Sequence, residues 1–446
     1  MESYNVMFKL GYLIKATSIV GIGTIISRIS GSVREIVMAA WMGTSAVTDA
    51  IIVSTRIPTL LRKISTEGSL NNALIPLIKD LEKKHHKNVI TTLISKIIII
   101  FSSAFILFFI METTLSNHML KILAPGILKS PARLYWFNIF IPFTSLTVLF
   151  FFLNGIFGAL LNFHQQFFWP AIAPAFWNIT LIICISLASY FRLDYDILGP
   201  IFLLATIIQT IVTLIPYIKL KIPFKIYKNK ESKGMLKLFF KNFFPIMFSA
   251  SISQVNNVIL IVLASFLPEG NATILHRADR LLQVPIGLIL ALSTTLLPTL
   301  TQNLEHQSKI IKLSLLLCFA LFLPMSFIFF FWNFPVVKLI FNYGKCTLND
   351  ILHISNLIRI YSIGIPAFLL IRIMPIFFFA RKQINIPTQG ATIHTILNIG
   401  FSCLLMQPLG ISGLAYASII SSWFHVALLS FYLIKNKYIS FKTLSS

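Results

Sequence analysis

Acidic side chains are scarce in this sequence: 14 Asp and Glu stand against 37 Lys and Arg among 446 residues, a formal charge of +23. Charged residues of either sign make up only 11%, against 56% hydrophobic, which excludes an ordinary soluble globule and points to a polytopic membrane protein. Cysteine is sparse too. Cys184, Cys318, Cys346 and Cys403 are scattered and no CxxC occurs, so no disulfide framework is expected. The 9 histidines show neither HExxH nor His/Cys metal spacing, so no metal is expected. No Walker A sequence is present, which argues against ATP hydrolysis by this chain. The carboxylates inside apolar stretches (Glu35, Asp49, Glu67, Asp279) are accompanied by bases, the pattern of gates or counter-ions and not of an acid/base pair. The chain reads as a non-enzyme without a cofactor.

The basic excess would suit nucleic acid, but most of it sits in short loops between apolar stretches, where it orients a membrane protein. Stretches long enough to cross about 30 Å of hydrocarbon fall at 17–40, 48–75, 89–111, 133–160, 166–190, 197–217, 238–267, 272–300, 310–332, 350–380, 384–407 and 411–434. They predict an all-α polytopic membrane protein of about twelve helices. Basic loops at 79–87, 219–241 and 302–312, the Arg381-Lys382 pair, and Lys435, Lys437 and Lys442 fall on one side. Alternate loops at 41–47, 192–197 and 268–273 are neutral or acidic, which puts both termini in the cytoplasm. The loops at 112–132 and 333–349 carry a few lysines and blur the contrast without reversing it.

The basic loop divides the chain into halves that echo each other. QFFWP (166–170) recurs as QINIP (383–387), PYIK (216–219) as YLIK (432–435), and LIPL (74–77) as LLPT (296–299), all at offsets near 220. This spacing predicts an N-terminal lobe at 1–218, a cytoplasmic linker at 219–241 and a C-terminal lobe at 242–446. Six helices per lobe give both the same orientation, hence two pseudo-symmetric lobes related about an axis along the membrane normal, with a central cavity.

Arginines then supply the chemistry. Arg28, Arg34, Arg56, Arg277 and Arg280 lie inside predicted spans, where an ionisable group costs at least ~2.5–3.5 kcal/mol at mid-membrane depth. A fold carries such groups by facing them into a wet cavity, and their common sign suits an anionic substrate. Asp49, Arg56 and Lys63 recur at seven-residue spacing and form one stripe on the second span; Arg62-Lys63 sits at its cytoplasmic mouth, where either substrate contact or membrane anchoring explains it. Gly31 separates Arg28 from Arg34, and a bend there would aim both at one point; close helix packing around Gly31 and Ser32 is the competing explanation for the glycine. Arg28 and Glu35 share a face at i, i+7. Asp279 either neutralises an arginine in a buried pair or serves transport; with one acid among two arginines, positive charge is left over.

The run at 27–77, SRISGSVREIVMAAWMGTSAVTDAIIVSTRIPTLLRKISTEGSLNNALIPL, resembles the N-terminal signature of the MurJ (MviN) lipid II flippases. PAIAPAFWNI (170–179), SISQVNNVILIVLASFL (251–267), ADRLLQVPIG (278–287), YGKCT (343–347) and ARKQINIPTQ (380–389) follow in family order. The resemblance implies the multidrug/polysaccharide-exporter fold and transfer of lipid II, an undecaprenyl-diphosphate-linked disaccharide peptide, from the cytoplasmic to the outer leaflet of the bacterial inner membrane. Carried over by position, Arg28, Arg34, Glu35, Asp49, Arg56, Arg62, Asp279 and Arg280 match motif positions implicated in transport, Glu67 resembles a cytoplasmic gate, and Arg372 stands where the family commonly has a base. Two departures stand out. Gln283 replaces an acid common in the family, and family members usually continue for two further helices where this sequence stops at Ser446.

The combined expectation is alternating-access flipping in which Arg28, Arg34, Arg56 and Arg280, with Asp49, bind the diphosphate. Glu35, Arg62, Lys63, Glu67, Asp279 and Arg372 gate or balance charge. The partners are lipid II, the phospholipid bilayer and cell-wall synthesis proteins, with no nucleic acid; membrane potential or a monovalent ion supplies the drive. Alternatives of other classes are a flippase for another polyprenyl-diphosphate oligosaccharide, a cation-coupled drug exporter (disfavoured by a basic cavity), and a non-transporting scaffold.

Overall fold

Proline and apolar length together set the helix breaks. The computed structural model describes residues 2–435 apart from 66–68, 84–86, 116, 117, 119, 122, 123, 229, 230, 284–306, 380, 382 and 384. Its helices are α1 Glu2–Met42, α2 Ala46–Ser54, α3 Arg56–Ser65, α4 Ser69–Lys83, α5 Lys87–Thr114, α6 Pro131–Phe163, α7 Phe168–Tyr190, α8 Leu198–Lys219 and α9 Glu231–Ser265. They continue with α10 at 271–283, α11 Gln307–Phe331, α12 Asn333–Phe341, α13 Leu348–Phe379, α14 Asn385–Leu409 and α15 Ile411–Lys435. Among the described residues 6 helices are long and apolar enough to cross a membrane, or 7 if α11 and α12, bent by 82°, form one broken span.

The expected second span at 48–75 is not one helix. Pro58 has no N–H and its ring opposes the carbonyl four residues back, Ser54. That is where α2 ends, and Thr55 stands between α2 and α3. The Thr55 hydroxyl donates to the Ile51 carbonyl at 2.6 Å and bridges the break. Pro142, Pro174, Pro366 and Pro375, by contrast, sit inside unbroken helices. Local caps read directly from sequence. Ser130 accepts from the Arg133 amide at 3.3 Å before Pro131 opens α6. Thr347 and Asp350 bond each other's backbone amides at 3.2 and 2.8 Å, a reciprocal cap on α13.

Contacts divide the chain into two compact units: Met1–Met42, Ala46–Leu123 and Ile127–Gln254 form the first, and Gly43–Ser45, Ala124–Gly126 and Val255–Ser446 the second. In the first, α1 packs on α7, α6 on α8, and α2 and α5 on α6. Its aromatic centre stacks Phe101 of α5 on Phe152 of α6 at 4.2 Å, with Phe239 and Phe243 of α9 buried beside them. The segment ahead of α9 is held there too, because the Lys225 and Tyr227 amides donate to the hydroxyls of Ser95 (3.1 Å) and Thr92 (3.0 Å). In the second unit α13 and α14 pack on α15, and α11 on α13.

Two of the three sequence echoes occupy matching places in each unit, and LLPT at 296–299 lies outside the described residues. QFFWP leads into α7 and QINIP into α14, while PYIK closes α8 and YLIK closes α15. Gly43 ends α1 with φ +61, a conformation that favours glycine, and an added Cβ there would stand 2.6 Å from the Lys345 carbonyl oxygen.

Candidate functional site

One side of α1 is polar and open. Gly21, Thr24, Arg28, Ser32 and Glu35 recur at three- and four-residue steps and share a face. The first four are exposed, Arg28 among them. Ile22, Ile25, Ile29 and Val33 occupy the adjoining side, also exposed. A helix with one apolar and one polar open side can meet lipid with the first and a hydrated space with the second.

Arg34 is placed differently. The helix runs unbroken through Gly31, so the expected bend does not bring the two arginines together. Six residues apart, Arg28 and Arg34 leave the axis about 120° apart. Arg34 is 7% exposed. Its Nη1 donates to Asn178 Oδ1 of α7 at 3.0 Å, its Nη2 donates to Glu35, and its guanidinium lies 4.8 Å from the centre of the Trp177 ring. Asn178 also donates to the Ser27 carbonyl at 3.0 Å and the Ser30 hydroxyl at 3.2 Å, tying α7 to two further turns of α1.

Trp177 connects this cluster to the rest of the unit. It lies 6.3 Å from Phe151 of α6, and Arg62 of α3 stands over the other aromatic at 5.1 Å. Two guanidiniums therefore flank an aromatic pair, an arrangement worth about 2 kcal/mol to a desolvated cation such as Arg34 and less to the half-buried Arg62. Trp177 Nε1 also donates to Thr206 of α8 at 3.1 Å. Asp49, 1% exposed, faces Arg133 of α6 at 3.8 Å. Arg56 and Lys63 are half-buried on α3, and the break at Thr55 separates them from Asp49. Glu67 lies outside the described residues.

In the second unit, α10 carries two arginines with different surroundings. Arg277, 3% exposed, donates to the Gly43 carbonyl at 2.6 Å and the Thr44 hydroxyl at 3.0 Å, with Cys346 Sγ at 3.7 Å. Burial pushes the Cys346 thiol above its ordinary range, against the lowering pull of Arg277. Arg280 is half-buried and donates through Nε to His276 at 3.4 Å. Asp279 is exposed and accepts from Gln283 at 2.8 Å. Arg372 is exposed on α13. Asn398 of α14 donates to Asn256 of α9 at 2.8 Å and accepts from Ser402 at 3.2 Å.

Sequence reading missed Asn178, Trp177 and Arg133. A lone Asn and Trp inside PAIAPAFWNI are a visible signal, since an amide in an apolar helix needs a partner. Arg133 at the start of a span reads instead as an interfacial side chain. Among the described residues no group of three or more His, Cys, Asp or Glu could hold a metal.

The family described as "Lipid II flippase MurJ" matches residues 38–445. A protein of Buchnera aphidicola subsp. Acyrthosiphon pisum (strain APS) named "Probable lipid II flippase MurJ" is 29% identical, the alignment covering 96% of this chain and 85% of the relative. A solved structure of the lipid II flippase MurJ in an inward closed conformation superposes with a TM-score of 0.81 at 26% identity, covering 95% of this chain and 88% of that one. An inward-facing MATE-family transporter of the MOP superfamily superposes at 0.75 with 12% identity, covering 94% and 97%, a likeness of fold alone.

Proposed function

The chain belongs to the MurJ family of lipid II flippases, and from that premise we propose that it carries lipid II across the bacterial inner membrane from the cytoplasmic to the outer leaflet. It is a multi-pass membrane transporter and not an enzyme. Both termini lie in the cytoplasm in this reading, as the loop charges require. The carrying observation is the family match over 38–445, and the open polar side of α1 supplies the chemistry that fits it.

In this reading Arg28 is the leading ligand for the diphosphate, because its guanidinium is exposed on a polar helix side and presents paired donors to phosphate oxygens. Arg56 and Arg280, both half-buried, add positive charge from their own units. Arg34 serves from behind: Asn178, Glu35 and Trp177 hold it, and its charge raises the local potential without leaving that seat. Asp49 keeps Arg133 neutralised, Glu35 balances Arg34, and Arg62, Lys63, Glu67, Asp279 and Arg372 gate or balance charge. The sugar and peptide travel in hydrated space while the prenyl chain stays among lipid tails. Transport follows alternating access, driven by the membrane potential or a monovalent ion; a unit charge crossing the field is worth about 2.3 kcal/mol per 100 mV.

Complementation of a conditional lipid II flippase mutant tests this. Growth with restored lipid II in the outer leaflet is the expected result. Stable expression without rescue, or accumulation of a different lipid-linked glycan on depletion from its own host, would overturn the assignment.

A further inference from the structure

Two histidines meet inside the second unit. His394 of α14 and His425 of α15 have ring centres 5.6 Å apart, tilted by 39°. His425 is 5% exposed, and neither of its ring nitrogens has a hydrogen-bond partner among the described residues. His394 is half-buried and shares a 3.2 Å hydrogen bond with the Ser422 hydroxyl. A neutral imidazole carries one donor and one acceptor, so His425 buries both unanswered, a cost a fold seldom bears without a use. Gly390 of α14 makes the approach possible, since an added Cβ there would stand 2.6 Å from His425 Nε2.

The surroundings select what this pair can bind. α14 has no ionisable side chain besides His394 and Cys403, and α15 has only His425, Tyr416, Tyr432 and the terminal Lys435. From α13, Tyr361 reaches Ser418 of α15, one of the hydroxyls on that helix. Asp350 of α13 is half-buried and bonds the Thr347 amide, while His353, Arg359 and Arg372 of α13 are exposed, with Arg359 turned onto Phe330. Asn256 is a polar group that α9 offers to α14. The acid acting on Tyr361 is Asp279 of α10, itself exposed; α14 and α15 carry no carboxylate, so a metal or organic cation finds no counter-charge on the two helices that hold the pair. A proton needs only a ring lone pair. His394, part-exposed, can receive it and pass it to the buried partner, and a charge on one ring disfavours a second charge on the other.

We propose that His394 and His425 form a proton-binding site whose occupancy is coupled to the packing of α14 on α15. One proton adds to the free ring nitrogen of one imidazole. On His425 that nitrogen becomes a donor in a seat where the described residues offer it no acceptor, so the loaded pair favours an arrangement that admits water or a hydroxyl. Binding stands on this unit alone, while its use in transport rests on the flippase reading and names the proton as the coupling ion.

The full chain in lipid nanodiscs, 15N-labelled at histidine, tests the binding site by titration between about pH 4 and 8. His394→Gln and His425→Gln assign the two rings. The expected result is that both signals move together and that each single variant shifts the midpoint of the ring that remains. Signals that never move, or that titrate independently of each other, overturn the site. In proteoliposomes, lipid II flipping should respond to an imposed pH gradient in the wild type, and His394→Gln should lose that response whatever rate it retains. An unchanged response overturns the coupling. Absence of flipping by the wild type overturns the flippase reading instead, and the titration still decides the site.

Discussion

Asn178 and Asn398 stand about 220 positions apart and do the same job in each unit. Asn178 ties α7 to α1 through Ser27 and Ser30, and Asn398 ties α14 to α9 through Asn256. The neighbouring interface then diverges. In the first unit α7 meets α8 through Trp177 donating to Thr206; in the second, α14 meets α15 through His394 and Ser422 with His425 beside them. One scaffold has thus been furnished twice. Both units bury permanent cations, Arg34 against Asn178 and Arg133 against Asp49 in the first and Arg277 against the Gly43 carbonyl and the Thr44 hydroxyl in the second, and the second also encloses the His394–His425 pair. A duplicated lobe can keep its packing amides while the interface beside each one is furnished differently.

The largest effect expected is on the buried ion pair. Asp49→Ala removes the carboxylate that faces the buried Arg133, and thermal unfolding in detergent should show a loss of about 3–5 kcal/mol; a loss below 1 kcal/mol would mean the first unit does not depend on this ion pair. Next comes the cation that is not enclosed. Arg28→Glu should lower flipping by about 100-fold, equivalent to about 2.7 kcal/mol, with insertion and unfolding temperature unchanged, while Lys228→Glu in the basic segment should have little effect on transport. Normal flipping by Arg28→Glu would remove the diphosphate assignment.

The paired amides give the sharpest contrast. Asn178→Ala loses hydrogen bonds that include one to a guanidinium and should cost about 1.5–3 kcal/mol, against about 1 kcal/mol for Asn398→Ala, whose partners are neutral. Equal losses would erase the distinction drawn between the units. The smallest effect concerns Cys346. Its raised thiol carries less thiolate at neutral pH than an ordinary cysteine, so alkylation should be slow at pH 7 and accelerate as pH rises. Mass spectrometry of timed maleimide labelling reads this directly, and labelling at the rate of a free thiol would contradict the enclosed setting of Arg277 and Cys346.

Much of the architecture was legible in the residues. The apolar stretches at 89–111, 133–160, 166–190 and 197–217 correspond to α5, α6, α7 and α8, because hydrocarbon thickness sets span length directly. The 48–75 stretch reads as one helix but is broken at Thr55, since hydropathy averages over Pro58 and cannot register a lost backbone hydrogen bond. The arginines were found by their cost, yet the two on α1 were assumed to converge. Composition treats Arg28 and Arg34 alike, and only the rotation of α1 against α7 exposes one and encloses the other.

The chain's own order of residues determined that it spans a membrane, that it repeats at about 220 positions, that its interior polarity is basic, and that it matches a lipid II flippase family. The tertiary structure decided which basic groups are open, that Trp177 and Phe151 join Arg34 to Arg62, and that His394 and His425, 31 positions apart, share one seat. The division has a physical origin. Lipid tails and packed helix faces are almost equally apolar, so a hydropathy pattern reports burial depth but not which helix faces which. Side-chain partners across helices follow from rotation and register, and those exist only once the helices have packed.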